Sequence, residues 1–238
     1  MKTLNRALDS SLWRKVPLSF AIIGVCTIMF LAVAVLQTTG SATGGRAFAF
    51  LGLSRFGVVD HHWYHEFLTS PFLHEGVLHL VFNMLALWML GPAVEAIMGW
   101  KRYLLFSALC AFAAELGHLA FAATPFDVVY GYSAVIYGIL VAQAVYFPDT
   151  ILYIFALFPL KMRYAVLVLG AMETYLTFGS GGGKISHLSH LLGAVMGLLL
   201  IMFWRWRERQ QGQPSRKMPA RRFRGIRLRR NGDVPREL

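Results

Sequence analysis

Apolar residues gather into six runs along the chain, at about residues 16–36, 77–98, 103–123, 133–147, 162–178 and 188–204. A membrane-crossing helix needs about 20 predominantly apolar residues, so each run reads as one span. The fourth is short and stops at Pro148, whose ring and missing N–H end a helix. Polar residues inside the runs are few. Among them are His79 and Asn83 in the second, Glu115 and His118 in the third, Ser133 opening the fourth, Glu173 in the fifth and His190 early in the sixth. The predicted fold is an all-α membrane protein, a six-transmembrane-helix bundle over residues 16–205. A cytoplasmic segment, 1–15, precedes it, and a basic, disordered cytoplasmic tail, 206–238, follows it.

Composition agrees with this pattern. Charged residues make up 15% of the 238 residues and hydrophobic ones 56%, where soluble domains carry about 25% charged residues. Lys and Arg are retained on the cytoplasmic side of a membrane, and here they sort cleanly. With both termini inside, 20 of the 23 basic residues are cytoplasmic, leaving Arg46, Arg55 and Lys184 outside. An even number of spans also puts both ends on one side. The net charge of +11 is mostly the tail, including Arg221, Arg222, Arg224, Arg227, Arg229 and Arg230. A single interleaved aromatic, Phe223, makes nucleic acid an unexpected partner, whereas anionic lipid headgroups suit such a tail. Cys26 and Cys110 fall within spans and predict neither a disulfide nor a redox role.

The first run, followed by Gly40-Ser41-Ala42, has the outline of a signal peptide. Its apolar core of about 21 residues exceeds the usual 7–15, so it reads as an uncleaved anchor. The loop between spans one and two is rich in aromatics, including Phe48, Phe50, Phe56, Trp63, Tyr64 and Phe67, and is expected to lie in the membrane interface. His61, His62 and His65 in that loop lack a clear fourth ligand and read as interfacial residues. Glu115 and His118, three apart, are expected to pair with each other.

Direction along the chain alternates, so spans two, four and six run the same way, from outside to inside. His79, Ser133 and His190 all lie near the starts of these spans and arrive in the outer half of the membrane. Residues 133–147 span only about 22 Å at about 1.5 Å per residue, against a hydrocarbon core of about 30 Å. Ser133 therefore sits below the outer surface and must face a wet hollow, because polar groups are costly in lipid. His190, Gly193 and Gly197 fall on one helical stripe, and Ala134 and Gly138 offer a small face on span four. Small residues let two helices approach closely. His190 can then take the Ser133 proton as general base. His79 and Asn83, four apart, can join the Ser133 N–H in stabilising an oxyanion. Tyr137 is placed to stack on and orient the imidazole, and no carboxylate marks itself as a third member.

At these residues the chain resembles the rhomboid family of intramembrane serine proteases. The matching stretches are Phe72-Leu73-His74, His79-Leu80 with Asn83, and Leu90-Gly91 with Glu95. Gly131-Tyr132-Ser133-Ala134 with Tyr137 follows, then Ser189-His190-Leu191-Leu192-Gly193 through Gly197. The resemblance implies a six-helix bundle that cuts single-span transmembrane proteins near the outer membrane face, without cofactor or metal. It implies a Ser133 nucleophile, a His190 base, oxyanion donors His79 and Asn83, a structural loop role for His74, and Gly131 in the nucleophile motif. It also implies that span five and the first loop gate substrate entry. Where the family carries Trp-Arg in that loop, this chain has His65-Glu66, and Ala134 stands where Gly is commoner. The compact form points to a bacterial plasma (inner) membrane with both termini cytoplasmic. Nothing in the sequence indicates an oligomeric state.

Three other readings fit these residues less well. A zinc protease would use His-Glu-x-x-His, but His74 and His79 are five apart, about 140° around a helix, and share no face. A haem carrier wants facing histidines on different helices, whereas His187 and His190 share one face. An inactive, client-binding relative would keep the fold without the reactive pair.

Overall fold

Pro17, at the first helical position, opens helix α1 (Pro17–Thr38), and the chain continues almost entirely as helix. The structure is a computed structural model and describes residues 16–38, 43–154, 158–178 and 184–211. The segment 1–15, Gly40-Ser41-Ala42, and the basic tail from residue 212 lie outside the described residues. After α1 come α2 (Thr43–Leu51), the single-turn α3 (Glu66–Thr69), α4 (Val77–Met98) and α5 (Trp100–Phe121). They are followed by α6 (Ser133–Tyr146), α7 (Met162–Phe178) and α8 (Lys184–Gln210). Helices α1, α4, α5 and the stretch His187–Gln210 of α8 are long and apolar enough to cross a membrane. Helix α6 is apolar but has 14 residues, and α7 has 17. Exposed Phe82, Trp88, Leu104, Leu167 and Leu199 give the outer faces an apolar coat suited to lipid. The chain is an integral membrane protein.

Two features depart from the sequence expectation. The connection after Pro148 is not a plain loop. Strands β1 (Ile151–Ile154) and β2 (Phe158–Lys161) pair antiparallel, from Ile151↔Lys161 to Ile154↔Phe158. The fold is therefore mostly helical rather than all-α. Pro148 stops the helix, and the run Ile-Leu-Tyr-Ile then has the branched and aromatic side chains that suit a strand. The second departure is α8, which continues to Gln210, past the expected end at 204. Arg, Glu and Gln are good helix formers, and the buried Glu208 pairs with Arg102 at the start of α5, Oε1 to Nη1 2.6 Å.

Gly99 turns the chain from α4 into α5 with φ +77, a conformation side chains resist. The core lies between α1, α4, α5, α6 and α8, around Cys26, Leu87, Tyr103, Phe106, Ile139 and Ile201. Helix α8 packs most extensively on α6 and α5.

Glu95, buried near the end of α4, caps the start of α1. Its carboxylate accepts the N–H groups of Leu18 (2.9 Å) and Ser19 (2.8 Å) and the Ser19 hydroxyl (2.7 Å). First-turn N–H groups have no partner within their own helix, and an anion suits that end. Glu95→Ala is expected to cost about 2–4 kcal/mol by stranding those donors. Thermal melting in detergent checks this; an unchanged midpoint would mean that water replaces the cap.

The first loop is fastened by its own residues. Fully buried Glu66 accepts the Ser54 N–H at 2.9 Å, and its other oxygen lies against Gly57, where a Cβ would overlap it. Burial pushes this carboxyl above the usual carboxylate range. The His65 ring Nε2–H donates to the Phe50 carbonyl at 2.7 Å, and the Thr69 hydroxyl donates to Leu51 at 2.6 Å. His65 and Glu66 thus anchor the loop through a ring nitrogen and a buried carboxylate. His61 stacks on Trp63, ring centroids 4.8 Å apart.

Candidate active site

Ser133 is the first residue of α6, and backbone bonds fix the chain that leads to it. Leu53 and Val129 exchange N–H···O bonds of 3.0 and 2.9 Å, and Gly131 N–H donates to Ser70 at 2.9 Å. Gly131 has φ +104, and a Cβ there would stand 2.9 Å from Cε1 of His79. Glycine is required at this position both by its backbone and by the ring beside it.

Helix α8 approaches α6 through glycine. A Cβ on Gly193 would lie 2.2 Å from the Ala134 carbonyl oxygen, and one on Gly197 would lie 2.9 Å from Cα of Gly138. This close crossing brings Nε2 of His190 to 2.8 Å from the Ser133 hydroxyl oxygen. The imidazole stacks on Tyr137, with centroids 4.6 Å apart and planes 11° from parallel.

The Nδ1 edge of the imidazole meets Glu173, which the sequence offers only as a buried helix-packing group of the fifth span. Nδ1 of His190 lies 3.2 Å from Oε1 of Glu173 on α7. The same carboxylate accepts from Nδ1 of His187 at 2.6 Å through Oε2, and the Tyr137 hydroxyl donates to Oε1. Glu173 is 3% exposed. The available signal was slight: Glu173 is the sole acidic residue of α7 and precedes His190 by 17 positions. Glu173, His187 and His190 also form a group whose ligand atoms lie within 4.8 Å of one another and could hold a metal ion. Their hydrogen bonds to one another account for that closeness without one.

Ser133, His190, His79 and Gly131 line one cavity of about 290 Å³, with Ser70, Glu75 and Glu115 among the other lining residues. The starts of α4, α6 and α8 therefore share one end of the bundle. Asn83 is buried, and its amide N–H donates to the His79 carbonyl at 2.9 Å. It is not among the cavity's lining residues, so one of its N–H groups serves α4 and the second is what it could offer a ligand. At the rim, Tyr130 donates to Glu75, which ties the chain before α6 to the chain before α4. Glu115 and His118 do not pair as expected. Ser70 donates to Glu115 at 2.7 Å, and the His118 ring bonds the Asp127 carbonyl at 2.9 Å. Loops folded over the bundle supply nearer partners than the next helical turn.

His74 is 1% exposed, sits in the loop before α4, and meets the His79 ring edge-on at 5.0 Å. Burial, helped by the neighbouring His79, lowers its pKa to about 4. An unfolded chain titrates this group near 6.5, so it binds the proton more readily than the fold does. Stability is then full above about pH 6.5 and falls as pH drops toward 4, by about 1–2 kcal/mol after allowance for solvation. Melting in detergent is expected at a lower temperature at pH 5 than at pH 7.5, with a smaller difference in His74→Phe. Equal differences in both proteins would remove His74 as the cause.

A serine hydroxyl bonded to an imidazole, at a helix N-terminus and facing a polar cavity, has the parts of an activated nucleophile. Residues 60–207 match the family described as Rhomboid domain. The chain is 29% identical over 119 residues to Rhomboid protease GluP of Bacillus subtilis (strain 168), covering 48% of this chain and 23% of that protein. It is 26% identical over 200 residues to Rhomboid-like protein 15 of Arabidopsis thaliana, covering 78% of this chain and 46% of that one. The match thus spans less than half the length of either relative.

Proposed function

This chain belongs to the rhomboid family, and on that premise we propose that it is an intramembrane serine protease. Its substrates are single-span transmembrane proteins, cut near the outer membrane face. The observation that carries this reading is the 2.8 Å contact between Ser133 and Nε2 of His190 in a polar cavity. Helices α6 and α7 complete six spans over residues 16–205, with both ends of the chain cytoplasmic, as the distribution of Lys and Arg supports. A bacterial inner membrane suits this form, and the basic tail suits anionic lipid. With 14 residues, α6 covers about 21 Å, which sinks Ser133 beneath the lipid surface.

In the reaction His190 accepts the Ser133 proton at Nε2 while the serine oxygen attacks the scissile carbonyl carbon. The Ser133 N–H and His79, with Asn83 if its free N–H turns inward, stabilise the oxyanion. Collapse breaks the C–N bond, and His190 returns the proton to the departing amine. Water then attacks the acyl carbon and gives a proton to His190; the ester C–O bond breaks, the new carboxyl terminus leaves, and His190 returns the proton to the Ser133 oxygen. Gly131, Gly193 and Gly197 shape the crossing, Tyr137 supports the imidazole, and His74 supports His79.

A client-binding member without protease activity is the alternative reading, and the intact Ser133–His190 contact argues against it. The test is a single-span reporter in liposomes with the purified protein, fragments being mapped by mass spectrometry. A cut close to the outer boundary is expected, lost after pretreatment with a serine-reactive isocoumarin. A reporter that binds but stays whole would favour the alternative.

A further inference from the structure

We propose that Glu173 is a positioning residue for the reactive pair, holding His190 with its proton on Nδ1 so that Nε2 is free to accept from Ser133. The inference rests on the protease reading above and adds a third, carboxylate member that the sequence did not mark.

An ionised carboxylate is acceptor-only, and three donors converge on this one. Tyr137 and His190 share Oε1, while His187 holds Oε2. Bonded on both oxygens and buried, the carboxylate cannot turn away from the imidazole. A proton on Nε2 instead would leave two acceptors, Nδ1 and Oε1, facing each other 3.2 Å apart. The hydrogen bond on one ring nitrogen selects the role of the other. Nε2 is then the acceptor of the Ser133 O–H at 2.8 Å. When the proton moves to Nε2, the imidazolium forms beside an anion already in place.

Other titratable groups surround His190. His187 lies on its own helix, Tyr137 on α6, His79 on α4 and Glu115 on α5 across the cavity. Among the described residues Glu173 is the one that bonds Nδ1. Its placement on α7 also means that the reactive geometry depends on a third helix, beyond the two that carry Ser133 and His190.

The full-length protein in detergent, cleaving a single-span reporter, separates positioning from mere helix packing. Glu173→Gln is expected to lower kcat about 10²-fold or more with KM little changed. With no anion beside the imidazolium, the acidic limb of the kcat/KM profile is expected to be displaced as well, which loss of packing alone would not do. Glu173→Asp should fall between the two. A lowered melting temperature with wild-type kcat and an unmoved acidic limb would overturn the proposal and leave Glu173 as a packing group. If Glu173→Gln does not fold, ¹⁵N-histidine NMR of the wild type decides, His190 being assigned by comparison with His190→Ala. Nδ1–H at neutral pH is expected, and Nε2–H overturns the proposal. A wild type that neither cleaves nor reacts at Ser133 would defeat the protease reading, while the tautomer would still report on Glu173.

Discussion

Ser133→Ala is expected to lower reporter turnover by about 10⁴-fold or more, and His190→Ala nearly as much. The two groups act as a unit: a serine without its base is a poor nucleophile, and an imidazole without the serine has no proton to take. The double variant is therefore expected to be no slower than either single one. Neither change should raise KM much, because both side chains serve the reacting bond rather than the rest of the substrate. Ser133→Ala removes one hydrogen bond at 2.8 Å and leaves the helix contact at Ala134 untouched. Its folding cost is about 1 kcal/mol, which separates lost chemistry from lost fold. Steady-state rates for the wild type and the three variants, beside melting temperatures, check this. Losses that add in the double variant would mean that the residues work independently.

Gly193→Ala is expected to damage both stability and activity. The added Cβ would meet the carbonyl oxygen of Ala134 at 2.2 Å, its carbonyl carbon at 2.7 Å and its Cα at 3.1 Å. All three are backbone atoms that no rotamer change can move, so α8 must back away from α6. Close-packed interiors do not absorb such a shift, and overpacking of this kind costs about 1–3 kcal/mol. His190 lies one turn before Gly193 on the same stripe and would be carried off Ser133. A displacement of about 1 Å can cost about 10²-fold in rate. Gly197→Ala, which meets Cα of Gly138 at 2.9 Å one turn further along, should lower stability with a smaller effect on rate. Ala134→Gly should not rescue Gly193→Ala, because the obstacle is backbone rather than the alanine methyl. Melting temperatures and kcat for the four proteins test this, and a rescue would show the helices in a different register.

The apolar runs and the small-residue stripe were legible because a helix has one period and a membrane one thickness. Those two regularities place Gly193 and Gly197 opposite Ala134 and Gly138 without knowledge of the loops. What sequence could not yield depends on how elements far apart in the chain settle together. Glu173 faces His190 because of the rotation of α7, and one acidic residue in an apolar helix does not reveal that rotation. Spacing alone suggested that Glu115 and His118 pair, yet Ser70 and Asp127 come closer from the loops. The β1–β2 hairpin arises from short apolar runs whose periodicity cannot separate strand from helix. The end of α8 reads as charged tail until Glu208 is seen bonded to Arg102, 106 positions earlier.

A fluorophosphonate probe, followed by peptide mapping of the purified protein, asks most directly whether the Ser133 oxygen is an activated nucleophile. One adduct on Ser133 is expected in the wild type, and none in a folded His190→Ala. An unlabelled Ser133, or an adduct on another serine while the reporter is still cut, would contradict the assignment.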